Sequence, residues 1–99
     1  MNKSYLNLLG IAYRARKCSL GEELIIKDIQ NHQAEFVLIA NDISDKTKKK
    51  LIDKCTTYEV DYKQVDDRST LGQAMGKSDR VAVAITDQGF AKKFRELLS

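Results

Sequence analysis

The chain has 99 residues, 42% hydrophobic and 31% charged, the size and balance of one soluble folded domain rather than two. Its 17 basic and 14 acidic residues leave a net charge of +3, too mild to indicate nucleic-acid binding unless the basic residues share a face. There is no apolar run of about 18 residues, so no membrane span is expected. Cys18, Cys55 and the lone His32 lack metal-ligand spacing and read as two buried free thiols and an exposed helix-end residue, with no metal site.

Tyr5, Leu8, Leu9 and Ala12 recur at helical spacing and predict an amphipathic first helix. Charge follows this stretch where a leader's cleavage site would stand, so no signal peptide is expected. A short extended piece falls around Cys18 to Leu20. Gly21 turns the chain into EELIIKDIQNH, a second helix with Leu24, Ile25 and Ile29 on its buried face. Glu22 and Glu23 occupy its first turn, where the helix dipole favours negative charge. Phe36 to Ala40 (FVLIA) is continuously apolar, as expected of a strand covered on both faces. Ser44 caps a third helix with Leu51, Cys55 and Tyr58 inside and Lys46, Lys49, Lys50 and Asp53 largely outside. Tyr62 to Val65 alternates weakly and reads as an edge strand. Ser69 is the expected cap of a short fourth helix carrying Leu71, Ala74 and Met75. Val81 to Thr86 (VAVAIT) is the clearest strand, and Asp87 caps a last helix with Phe90, Phe94 and Leu97 inside. The alternation predicts one α/β domain over residues 1–99, a three-layer α/β/α sandwich around a largely buried sheet. Strand order does not follow from it.

Gly72 to Asp79 (GQAMGKSD) comes close to the phosphate-binding pattern Gly-x-x-x-x-Gly-Lys-[Ser/Thr], but it is one residue short. A phosphate loop needs a strand before it and a helix after it, so that N–H groups converge on the phosphates. Here a helix precedes and a strand follows, and Gly76 is better placed as a helix C-cap. No serine or cysteine stands in a nucleophile context. The adjacent pairs Asp66-Asp67 and Glu22-Glu23 point apart and make poor acid/base dyads. No enzyme activity and no cofactor are expected.

The basic residues cluster instead: Arg14, Arg16 and Lys17; Lys46, Lys48, Lys49 and Lys50; Lys77 and Arg80; with Lys27 alone. Each cluster alone is an ordinary solvated face, but together they suggest an electrostatic footprint. If the turn into helix two and the loop after helix four share one end of the sheet, Gly21, Lys27, Lys77 and Arg80 come together.

The runs GEELIIK, AEFVLIANDIS, KLIDKC and LGQAMGKSDRVAVAITD, taken in order over nearly the whole chain, resemble the ribosomal protein L-seven-Ae/L-thirty-e superfamily. The resemblance implies a mixed four-stranded sheet in the α/β/α sandwich, no cofactor and no catalysis. It also implies binding of structured RNA, typically a kink-turn, through the start of helix two and the loop before the last strand. RNA-binding relatives carry Gly-x-Asn-Glu-x-x-Lys at the start of helix two; Gly21 and Lys27 match, while Glu23 and Leu24 stand at the Asn and Glu positions. A carboxylate accepts but does not donate, and leucine does neither. The second loop reads Lys77-Ser78-Asp79-Arg80, suited to phosphate rather than to packing a base. The implied RNA-contacting set is Gly21 and Lys27 by direct match and Glu22, Glu23, Ser78 and Arg80 by position, joined by Lys17 and Lys77.

Two functions follow as expectations. One is a monomeric RNA-binding accessory protein of the bacterial cytoplasm, contacting ribosomal RNA or a kink-turn-like motif near the ribosome or the transcription machinery. The alternative is a protein-interaction module that has kept the fold and lost kink-turn recognition.

Overall fold

The computed structural model describes residues 4–98, along which helices and strands alternate. They are α1 (Ser4–Arg14), β1 (Cys18–Leu20), α2 (Glu22–Gln30), β2 (Phe36–Ile39), α3 (Asp45–Thr57), β3 (Asp61–Gln64), α4 (Arg68–Ala74), β4 (Ala82–Ile85) and α5 (Gln88–Leu98). The sheet runs β1-β4-β2-β3, with β4 antiparallel to both β1 and β2, and β3 parallel to β2. This is the mixed four-stranded sheet that the resemblance implies.

The two central strands are buried at every position. Their side chains alternate between two cores, because successive strand residues point to opposite faces. Phe36, Leu38, Val83 and Ile85 join Tyr5, Leu9 and Ala12 of α1, Leu71 of α4 and Phe94 of α5. Val37, Ile39, Ala82 and Ala84 join Ile25 and Ile29 of α2 and Leu51 and Cys55 of α3. Three helices thus cover one face and two the other, giving the three layers. All four residues of β3 are exposed, as an edge strand allows.

The helix starts follow their caps. Ser44 accepts from the Thr47 N–H at 3.2 Å and Asp87 from the Phe90 N–H at 2.9 Å, both as the sequence predicts. At α4 the cap is Asp67, not Ser69: its carboxylate accepts from the Thr70 N–H at 2.8 Å. The helix therefore begins earlier, and a carboxylate at the positive end of the dipole outcompetes the hydroxyl.

The helix ends share one device. Lys17, Gln33, Val60 and Lys77 each donate their N–H back to the carbonyl of Ala12, Asp28, Cys55 and Gly72, respectively. The residue before each has positive φ: Arg16, His32, Glu59 and Gly76. These are Schellman closures, usually made by glycine, yet only Gly76 is one. The sequence therefore reveals one of four.

Candidate nucleic-acid interface

The pairing register fixes what meets at one rim of the sheet. β1 ends with Leu20 opposite Val83, β2 with Ile39 opposite Ala82, and β3 with Gln64 opposite Ile39. The C-terminal ends of β1, β2 and β3 therefore lie beside the start of β4. α2, α3 and α4 begin one short connection later. Three helix N-termini, with their positive dipole ends, so emerge together where the 76–81 connection enters β4.

Gly21 makes the turn into α2 with φ +91°, in the region that favours glycine. A Cβ there would meet nothing within 4 Å, so the backbone angle and not crowding selects the residue. No side chain caps α2, so helix geometry leaves the first N–H groups of this nine-residue helix turned to the rim. Glu22 is drawn aside by Lys50 of α3, at 3.1 Å. Glu23 and Lys27 are exposed one turn apart on the same side of α2. Leu24 is 47% exposed and does not join the buried stripe as the sequence reading expects. Successive helix positions differ by about 100°, and Ile25 with Ile29 already fills the stripe.

The second loop is tightly held. Gly76 (φ +69°) closes α4, and the Ser78 carbonyl lies over Gly72, where a Cβ would meet it at 2.0 Å. Arg80 donates through Nη1 to Ser78 Oγ (3.2 Å) and to the Asp79 carbonyl (3.0 Å), and its backbone N–H donates to the Arg68 carbonyl at 3.1 Å. Asp42 in turn accepts from the Arg68 N–H at 2.9 Å and faces its guanidinium at 3.4 Å. The connections into α3, α4 and β4 are thereby tied to one another at the rim.

The expected gathering is met in part. Gly21, the start of α2 and Arg80 share the rim, with Lys27 a turn and a half along the helix. Lys77 turns away, placing Nζ 5.6 Å from the Tyr13 ring centroid on α1. Lys17 lies at the opposite end of β1, where its carbonyl accepts from the Thr86 N–H, roughly 13 Å from Gly21 at the rise of a strand. The sequence reading missed Asp42, Arg68 and Tyr13, which meet the loop residues only through the fold, and it named Lys50 among the basic clusters without its partner Glu22.

Burial pushes the Cys18 thiol up to about 12 and that of Cys55 to about 11, so neither supplies a thiolate near neutrality. Burial, and then its hydrogen bond to Asp66, raises the Tyr5 phenol well above its ordinary value. Among the described residues no group of three His, Cys, Asp or Glu side chains is placed to hold a metal ion. No helix among them is long and apolar enough to cross a membrane.

The fold is an α/β/α sandwich with three helix N-termini and the Arg68 and Arg80 side chains at one rim of the sheet. The chain belongs to the Ribosomal protein L7Ae/L30e/S12e/Gadd45 family, whose model matches residues 3–95. It is 54% identical over 91 residues to the RNA-binding protein YlxQ of Bacillus subtilis (strain 168), covering 92% of this chain and 91% of that one. It is 46% identical over 93 residues to the RNA-binding protein YlxQ of Enterococcus faecium, covering 94% and 89%. Among solved structures, a protein of unknown function from Bacillus halodurans C superposes with TM-score 0.94 at 42% identity, over 98% of each chain.

Proposed function

We propose that this chain is a single-domain, non-catalytic RNA-binding protein of the cytoplasm that holds structured RNA at the rim shared by α2 and the 76–81 loop. The observation that carries this reading is the register that sets the uncapped start of α2 beside Arg80. Family membership and the RNA-binding relatives support it. In this reading the α2 N–H groups, Lys27 and Arg80 take phosphate oxygens at the rim, Lys77 takes one by leaving the Tyr13 ring, and Lys17 meets a more distant strand of the RNA. Glu23 accepts from a base edge, and Gly21 and Ser78 let backbone approach backbone. Glu22, paired with Lys50, orients that lysine rather than touching RNA. Binding to an internal-loop hairpin of the kink-turn type, measured at several salt concentrations, tests this. Lys27→Ala, Lys77→Ala and Arg80→Ala are each expected to weaken binding several-fold and to flatten the salt slope by somewhat less than 1 per lost phosphate contact. Binding that ignores salt and survives all three changes would sink the reading.

Glu23 and Leu24 at the positions of the family's Asn and Glu favour a second reading, a protein partner at the same surface. A stoichiometric partner that survives nuclease treatment, with no RNA crosslinked in cells, would select it.

A further inference from the structure

The first turns of α3 carry Lys46, Lys48, Lys49 and Lys50 against a single acid, Asp45. Cations at a helix N-terminus oppose the macrodipole, so this arrangement costs α3 stability rather than adding to it. Lys46 and Lys49 are exposed on the outer side of the helix, with Asp45 beside Lys46 and Asp45 and Asp53 one turn to either side of Lys49. Lys50 connects this patch to α2 through its 3.1 Å contact with Glu22. α3 also begins at the rim where α2 begins. Placements that oppose local stability are expected where function needs them.

From these observations we infer that the lysine turns of α3 form a second phosphate-binding surface, which takes the helical flank of an RNA whose irregular part sits at the start of α2. The inference rests on the RNA-binding reading above and extends it to RNA length. Lys46 stands about 6 Å along the helix axis from Lys50. Along one strand of a duplex the charges recur about every 3.4 Å of the axis, so that span matches about two successive phosphates. A lysine reads such charges without regard to sequence, as a flank requires.

The test uses the full chain and two RNAs built on one internal-loop hairpin, the first trimmed to the pairs closing the loop, the second with one arm extended by a helical turn. The wild-type protein is expected to bind the extended RNA more tightly and with a steeper salt dependence. The double variant Lys46→Gln/Lys49→Gln is expected to lose roughly tenfold on the extended RNA, with a salt slope shallower by about 1.5, and nothing on the trimmed RNA. Its melting temperature is expected to hold or rise, because two cations leave the positive end of a helix. Equal wild-type binding to both RNAs overturns the inference without any variant, as does a double variant that keeps its affinity for the extended RNA. If the wild type binds neither RNA, the RNA-binding reading itself falls and this extension with it. Binding to vesicles containing phosphatidylglycerol that the double variant loses, with RNA affinity unmoved, overturns it in favour of a lipid surface.

Discussion

Gly72→Ala separates what the loop requires from what the helix prefers. Alanine is favoured over glycine inside a helix by about 1 kcal/mol, so α4 by itself gains from the change. The new Cβ, however, would sit 2.0 Å from the Ser78 carbonyl oxygen and 2.6 Å from its carbon, where ordinary contact begins at 3.4 Å. Those are backbone atoms, and no rotamer relieves them. The 77–79 segment must retreat by more than an ångström, although the Lys77 N–H is bonded to the Gly72 carbonyl at 2.9 Å and the Arg80 N–H to that of Arg68 at 3.1 Å. Overpacking of this kind costs about 1–3 kcal/mol, and a displaced backbone hydrogen bond about 1 more. Set against the helical gain, the expected net loss is about 2 kcal/mol. For a chain of this size that lowers the melting temperature by roughly 8–16 °C. Urea and thermal unfolding of the two proteins read the loss directly. RNA titration is expected to show weaker binding through the displaced Arg80. A Gly72→Ala protein as stable as the parent would refute the reasoning, since the loop would then not be seated on Gly72.

The remaining predictions use other parts of the fold. Glu59→Gly relieves a left-handed φ of 56° at the end of α3 and is expected to stabilise by about 0.5–1 kcal/mol in urea titrations, the strain removed exceeding the entropy added to the unfolded chain. Cys55 keeps its proton to about 11 when folded against an ordinary 9.0. Its contribution is therefore intact below pH 9 and is lost as pH rises from 9 to about 11; Cys55→Ala is expected to show a smaller decline across that window, read from urea midpoints. Lys50→Ala frees Glu22 to face the start of α2. A double-mutant cycle with Glu22→Ala is expected to show non-additive losses of RNA affinity, and simple additivity would mean that the pair does not shape the rim.

The layers were legible because periodicity reports burial. FVLIA and VAVAIT read as buried strands, and Ile25, Ile29, Leu51 and Cys55 as residues facing a core, while the central place of the two strands came only from the pairing. Ser44 and Asp87 announced their helices by chemistry that acts within three residues. Long-range facts were not legible in this way. Asp42 and Arg68 are 26 residues apart, and only the parallel pairing of β2 with β3 brings their loops together. Leu24 was misplaced because a hydrophobic residue next to a buried stripe looks the same in sequence as one within it. The left-handed closures at Arg16, His32 and Glu59 were hidden because their side chains gave no sign of a geometry that glycine normally signals. The candidate site was half legible: Gly21 and Arg80 could be paired by topology, but the direction of Lys77 depended on Tyr13 of a third element.

The three helices that begin at the rim are not closed in the same way, and the difference singles out α2. Ser44 and Asp67 occupy N–H groups at the starts of α3 and α4. α2 has a glycine at the cap and no side chain on its N–H groups. Of the two acids in its first turn, Glu22 is held by Lys50, which leaves Glu23 as the charge serving its dipole. Glycine caps nearly as well as serine, costing only a few tenths of a kcal/mol, so stability gives little reason to choose between them. Geometry does, because a φ of +91° strains any residue with a Cβ. The same choice that turns the chain sharply out of β1 thus leaves an open helix start beside Arg80. In this sheet order β1 is an edge strand, bonded to β4 alone, so that start stands at the margin of the domain rather than behind a neighbouring strand. A large ligand with phosphates along its length can approach there without moving any element of the fold.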